Sequence, residues 1–200
     1  MSLEIICSII AFVYGVVVGS FLNVCIYRWP EEKSIVTPPS HCPNCGTRLR
    51  IPDLVPLFSF LFLGCKCRYC KTPISWRYFT IELITGIVWL LTFLKFGMSL
   101  DAAGFITVIV NALFLSMLIV AFVVDMEHFI IPNEVSIVGV ALGILRDISL
   151  LAVGSSNLVH IPIPFTHIKI PMFPSILGMV LCSGAFWLLA VASYYAFMPK

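Results

Sequence analysis

Four cysteines and one aspartate stand at spacings that suit chemistry. Cys42-Pro-Asn-Cys45 and Cys67-Arg-Tyr-Cys70 make two C-x2-C pairs with twenty-one residues between them. A tight turn aims two thiolates at one metal ion, and two such turns supply the four sulfurs of a closed tetrahedral zinc site. Gly46 after the first pair is expected to permit close backbone approach. The interval is slightly beyond the roughly 15–20 residues usual for such sites. Four protein ligands leave no open position for water, so the expected metal, Zn2+, is structural. Unligated or redox-active thiols are the competing reading. The aspartate is Asp125, in "DMEHFIIPN" (125–133), which directly follows the apolar run "FLSMLIVAFVV" (114–124). An acid beside such a run is either the polar end of a membrane helix or a functional carboxylate. The residue alone leaves both open.

The elements that position these groups follow from composition. Of the 200 residues, 60% are hydrophobic and only 11% charged, and mean hydropathy is +1.05. A soluble domain carries about 25% charged residues. The fold class expected is an all-α polytopic membrane protein with about five spans, near 5–27, 78–97, 103–124, 135–152 and 172–197. Each approaches or exceeds the ~20 residues that cross the hydrocarbon. The fourth is interrupted by Gly139, Gly143, Arg146 and Asp147. Between the first two lies a polar insert, 28–77, which the cysteine pairs would make a small zinc-ribbon-like module; one so short buries too little apolar surface to be secure without a metal. The expected domains are therefore 1–27 (first span), 28–77 (zinc module) and 78–200 (the later spans with Asp125). The first span has no basic leader and a long apolar run, so it reads as an anchor, not a cleaved signal. No internal repeat is expected.

Charge sets the expected orientation. Eight of the twelve Lys and Arg lie in 28–77, which by the positive-inside rule places the insert in the cytoplasm and the N-terminus outside. Asp125 then lies at the cytoplasmic face. There the reducing environment argues against structural disulfides. Arg146, near the outer face, is expected to snorkel or pair with Asp147. Against Glu31, Glu32 and Asp53 the insert carries +5, which suits anionic lipid headgroups; nucleic-acid binding is not expected. Glu82, within the second span, needs a partner or an aqueous cleft. The candidates are Arg77 or another base, and a substrate or methyl-transfer contact. Asn23 is a buried polar group beside Gly19 and Ser20, whose small side chains permit close helix approach; substrate contact is the lesser reading. Glu127 and His128 read as headgroup-facing. Cys7, Cys25, Cys65 and Cys182 read as small packing residues. Pro132 is expected to help end the third span.

Four stretches together, "GSFLNVCIYRWP" (19–30), the two cysteine pairs, "ISWRYFTIELITG" (74–86) and "DMEHFIIPN", resemble the type IV prepilin peptidases, polytopic aspartyl proteases of the bacterial inner membrane. The resemblance runs from about residue 15 onward. It implies cleavage of basic leaders from prepilins or pseudopilins after a glycine, in pilus or type II secretion pathways. It also implies methylation of the new N-terminus with S-adenosylmethionine. The first catalytic aspartate of the family falls on Asp125. The second belongs to a Gly-x-Gly-Asp-x-Lys motif that does not occur in these 200 residues; it is expected beyond residue 200, leaving this stretch alone inactive. Glu134 is the alternative second acid within the chain. Asp147 is not, because about 22 residues of helix, about 33 Å, separate it from Asp125. A homologue acting as a non-enzymatic zinc-module scaffold, and a membrane thiol oxidoreductase, are the competing functions.

Overall fold

The computed structural model describes residues 2–130, 132–155, 158–162, 169–181 and 184. They form helices α1 (Ser2–Arg28), α2 (Phe58–Phe62), α3 (Trp76–Phe96), α4 (Ala102–His128) and α5 (Asn133–Ala152), a 3-10 turn (Ile51–Asp53), and strands β1 (Val159–Pro162) and β2 (Lys169–Met172). Two compact units are present, Met1–Gly139 and Val140–Lys200.

Four helices are long and apolar enough to cross a membrane: Leu3–Arg28, Trp76–Phe96, Ala102–His128 and Asn133–Ala152. The first four expected spans are thus present. Most of the fifth, 172–197, lies outside the described residues. Ile5, Ile9, Val13, Val17 and Phe21 on α1 are all about half exposed. Such a surface is untenable in water and natural in lipid.

In the first unit α1 and α3 run antiparallel and very close. A Cβ at Gly15 would lie 2.6 Å from Trp89 Cβ, and one at Gly19 2.8 Å from Glu82 Cα. The small face expected at Gly19 is therefore a helix contact, of the kind that substitutes for hydrophobic driving force in lipid. Helix α4 joins α3 through the buried Trp89 Nε1, which donates to Ser116 Oγ at 3.1 Å. Leu22, Ile26, Ile81, Val120 and Val124 fill the core between the three helices.

Helix α4 runs past the expected end at 124 to His128 and stops at Phe129, whose φ of 56° is left-handed. The Phe129 N–H caps it by donating to the Asp125 carbonyl at 2.9 Å. Pro132 is not what ends the span; it is buried just ahead of α5. Asp101, at the other end, N-caps α4 by accepting from Gly104 N–H at 3.2 Å.

In the second unit β1 and β2 pair antiparallel, with Val159 opposite Met172. Arg146 pairs with Asp147 at 3.5 Å, as expected, and Asp147 also accepts from Ser175 N–H at 3.2 Å.

Candidate metal module and carboxylate site

The two cysteine turns are built alike. In the first, Cys42 N–H donates to the Thr47 carbonyl, Gly46 N–H to that of Cys42, and Leu49 N–H to that of Ser40. Twenty-five residues later Cys67 donates to Thr72, Lys71 to Cys67, and Ile74 to Cys65. The insert therefore contains an internal repeat that the sequence reading missed. Its only signature in sequence is C-x2-C-x-T, too short to stand out. Gly46 takes φ 67° and its counterpart Lys71 φ 61°. Nothing lies within 4 Å of a Cβ built on Gly46. Its role is thus the left-handed turn and not a close approach.

The four sulfurs of Cys42, Cys45, Cys67 and Cys70 lie within 4.8 Å of one another, and Cys42 and Cys70 are 3.8 Å apart. Four ligands at the Zn–S length stand about 3.8 Å from each other in a tetrahedron. The residues fit a tetrathiolate metal. Cys45 Sγ lies 3.3 Å from Thr47 Oγ1, and Cys70 Sγ 3.3 Å from Thr72 Oγ1. Asn44 Nδ2 donates across the repeat to Thr72 Oγ1 at 2.7 Å. Bonds from the Thr72 hydroxyl and N–H, and from Asn44, hold the Cys70 thiol down to about 5. Against the backbone N–H of Cys45, burial and the adjoining thiols push Cys42 up to about 11. Four crowded thiols cannot all ionise alone; a bound dication removes that conflict. Cys65 stands outside this set.

Asp53 ties the module together. Its side chain, 3% exposed, is bonded to Arg68; it accepts from Arg50 N–H at 3.0 Å and from the Tyr69 hydroxyl at 2.9 Å. Arg28, at the end of α1, is buried and donates to the carbonyls of Ser34 at 2.8 Å and Pro38 at 2.6 Å. The first span and the module are locked together by that side chain.

Glu82 is 8% exposed. It does not pair with Arg77. It accepts from Leu57 N–H at 2.8 Å, so it fastens the insert to α3. Arg77 reaches Glu127 instead, with Nη1 2.8 and 2.6 Å from the two carboxylate oxygens. Glu127 is therefore a partner of α3 and not simply headgroup-facing. Nothing in sequence marked a pair fifty residues apart. Asn23 donates to the Tyr78 carbonyl at 3.1 Å and the Gly19 carbonyl at 3.3 Å. Its buried Oδ1 has no partner among the described residues.

Asp125 is exposed in the last turn of α4, two residues before Glu127. The Arg77–Glu127 bond thus fixes the turn that carries it to the start of α3. Glu134 lines a cavity of about 620 Å³ with Trp29, Glu32, Lys33, Ser34 and Ile35. The ends of α1 and α4, the starts of α3 and α5, and the metal module thus share one side of the first unit. The carboxylate of Asp125 and the four thiols are brought to the same end without touching.

The bacterial peptidase A24 N-terminal domain matches residues 13–96. The prepilin leader peptidase/N-methyltransferase of Myxococcus xanthus (strain DK1622) is 40% identical over 137 residues, 68% of this chain and 39% of that protein. The protein of the same name from Bacillus subtilis (strain 168) is 37% identical over 64% of this chain and 49% of its own length. The type 4 prepilin-like proteins leader peptide-processing enzyme of Escherichia coli O78:H11 is 36% identical over 62% of this chain and 51% of its own length. No solved structure matches the chain. The chain spans about half the length, or less, of these curated relatives. Residues 13–96 thus match the N-terminal domain of the bacterial A24 peptidases, and the similarity to prepilin leader peptidases extends over about two thirds of this chain.

Proposed function

We propose that this chain carries part of a membrane aspartic endopeptidase that removes basic leaders from prepilins or pseudopilins after a glycine, at the cytoplasmic face of the bacterial inner membrane. The observation that carries it is the placement of Asp125: exposed, at the end of a spanning helix, and held there by the Arg77–Glu127 bond. A substrate with a basic leader and an apolar helix presents its junction at that level without leaving the lipid. The names of the relatives support both peptidase and N-methyltransferase activity.

In this reading Asp125 is one of two carboxylates around a water. The ionised member takes a proton as the water oxygen attacks the scissile carbonyl; the protonated member donates to the carbonyl oxygen. Mutual repulsion separates the two pKa values of such a pair. The departing amine then takes a proton and the peptide bond breaks. Glu82 and Asn23 act as positioning groups for α1, α3 and the insert. Zinc, held by the four cysteines, supplies folding energy and no chemistry. S-adenosylmethionine would be the methyl donor of the second activity.

The test is cleavage of a prepilin in membranes by residues 1–200, by the natural reading frame continued to its stop codon, and by Asp125→Asn in each. Cleavage lost in the Asp125→Asn forms supports the reading. Cleavage retained by Asp125→Asn removes Asp125 from the site. Activity of residues 1–200 alone requires a second acid within them, with Glu134 the first to test by Glu134→Gln. No cleavage by any form favours a zinc-module scaffold.

A further inference from the structure

The insert carries apolar surface that its own packing does not use. In α2, Phe60 turns inward, 5.1 Å from the Trp76 ring and 5.5 Å from that of Phe79. Phe58, Leu61 and Phe62 face out; Phe62 is 84% exposed. Ile51, Leu54 and Val55 just ahead are exposed as well.

One bond sets where this patch sits. Leu57 N–H, at the start of α2, donates to Glu82 Oε2. Glu82 is six residues into α3, about 9 Å along its axis. Helix α2 is thus held alongside the first two turns of a membrane-spanning helix. Leu57 takes a left-handed φ of 61° to get there, which a leucine adopts only where its surroundings demand it. On α3 the exposed residues Trp76, Ile84, Ile87 and Leu91 form one stripe. Phe60 packs on Trp76 at the start of that stripe, so the outward residues of α2 lie close to it. In sequence α2 is flanked by Arg48 and Arg50 on one side and by Lys66 and Arg68 on the other, the last paired with Asp53, in an insert of net charge +5.

We propose that α2 is an interfacial anchor: Phe58, Leu61 and Phe62 sit at the boundary between headgroups and acyl chains of an anionic leaflet, and the flanking bases meet the headgroups. Phe and Leu make the apolar face of helices that lie in that plane, flanked by bases, and each nearby base adds attraction to anionic lipid. The depth set by Glu82 and the charge of the insert both select a bilayer over a soluble partner. The metal module would then be held against the membrane at two points, the spanning helices and α2. This assignment is independent of catalysis.

The test places a fluorescent amino acid at Phe62, and separately at Phe58, in the full chain reconstituted into phosphatidylcholine–phosphatidylglycerol vesicles. Phe62 is exposed, so its replacement leaves the packing of Phe60 untouched. A nitroxide high on the acyl chain is expected to quench at least about twice as strongly as aqueous iodide. Equal or stronger quenching by iodide overturns the proposal. In a second measurement a benzophenone amino acid at Phe62 is photolysed in the same vesicles. Lipid adducts are expected; adducts mainly to a second copy or to another protein helix overturn the assignment to lipid.

Discussion

Gly19→Ala tests the helix contact on which Glu82, Asn23 and the insert depend. The added Cβ would lie 2.8 Å from Glu82 Cα and 3.1 Å from Thr85 Cβ and Oγ1. The first is backbone. The second belongs to a fully buried residue whose hydroxyl donates to the Ile81 carbonyl at 2.7 Å. Neither can swing aside, so α1 and α3 must separate. Overpacking of this kind costs about 1–3 kcal/mol. Gly139→Ala is the control, because its Cβ would meet nothing nearer than Phe114 Cε2 at 3.6 Å. Both glycines are interior to helices, and both gain about 1 kcal/mol of helix propensity on becoming alanine. That gain cancels in the comparison. The two variants should differ by about 1–3 kcal/mol, with Gly139→Ala the more stable. At roughly 2–4 °C per kcal/mol for a chain of this size, unfolding midpoints in detergent separate by roughly 2–12 °C. Tryptophan fluorescence reads the transition through buried Trp89. Protease sensitivity of the insert should rise only in Gly19→Ala, because displacement of Glu82 frees Leu57. Equal midpoints for the two variants would refute the close contact.

Metal analysis of purified protein should find one zinc per chain, and cobalt substitution should give the spectrum of a tetrahedral tetrathiolate. Chelation should expose 28–75 to protease, Cys70→Ser should lose the metal, and Cys65→Ser should keep it. Asp53→Asn should weaken the module by about 1–3 kcal/mol at neutral pH, the usual range for bonds to a buried charged group, read as faster proteolysis of the insert. Although burial raises the Asp53 pKa, the Arg50 N–H, Arg68 and Tyr69 bring it below its ordinary value. A depressed carboxyl contributes fully above its unfolded pKa of about 3.9. The difference between wild type and Asp53→Asn should therefore be the same at pH 7 as at pH 5.5, and shrink as pH falls through about 4 and below. A difference that grows on acidification would reverse the assigned sign.

The membrane class, four of the spans, the cysteine cluster and the family resemblance were legible in sequence because each rests on local composition or short spacing. Long apolar runs need no tertiary information to read as spans, and four C-x2-C thiols at that interval have few uses besides a metal. The close face at Gly19 was legible for the same reason, since only small residues stand there. What could not be read were pairings between distant residues. Arg77 has several acids within reach in sequence terms, and only the packing of α4 on α3 decides for Glu127 over Glu82. Glu82 is satisfied by the Leu57 backbone, a donor that no side-chain pattern announces. The left-handed residue at Phe129 ends α4 before Pro132 can, and a phenylalanine, unlike the usual glycine, gives no sequence signal for that conformation. The repeat in the two knuckles is carried by backbone hydrogen bonds, to which sequence is nearly blind. Sequence by itself thus determined what enters the membrane and which thiols meet; the tertiary structure decided which charges are paired and where the insert is fastened, because those depend on which helix faces which.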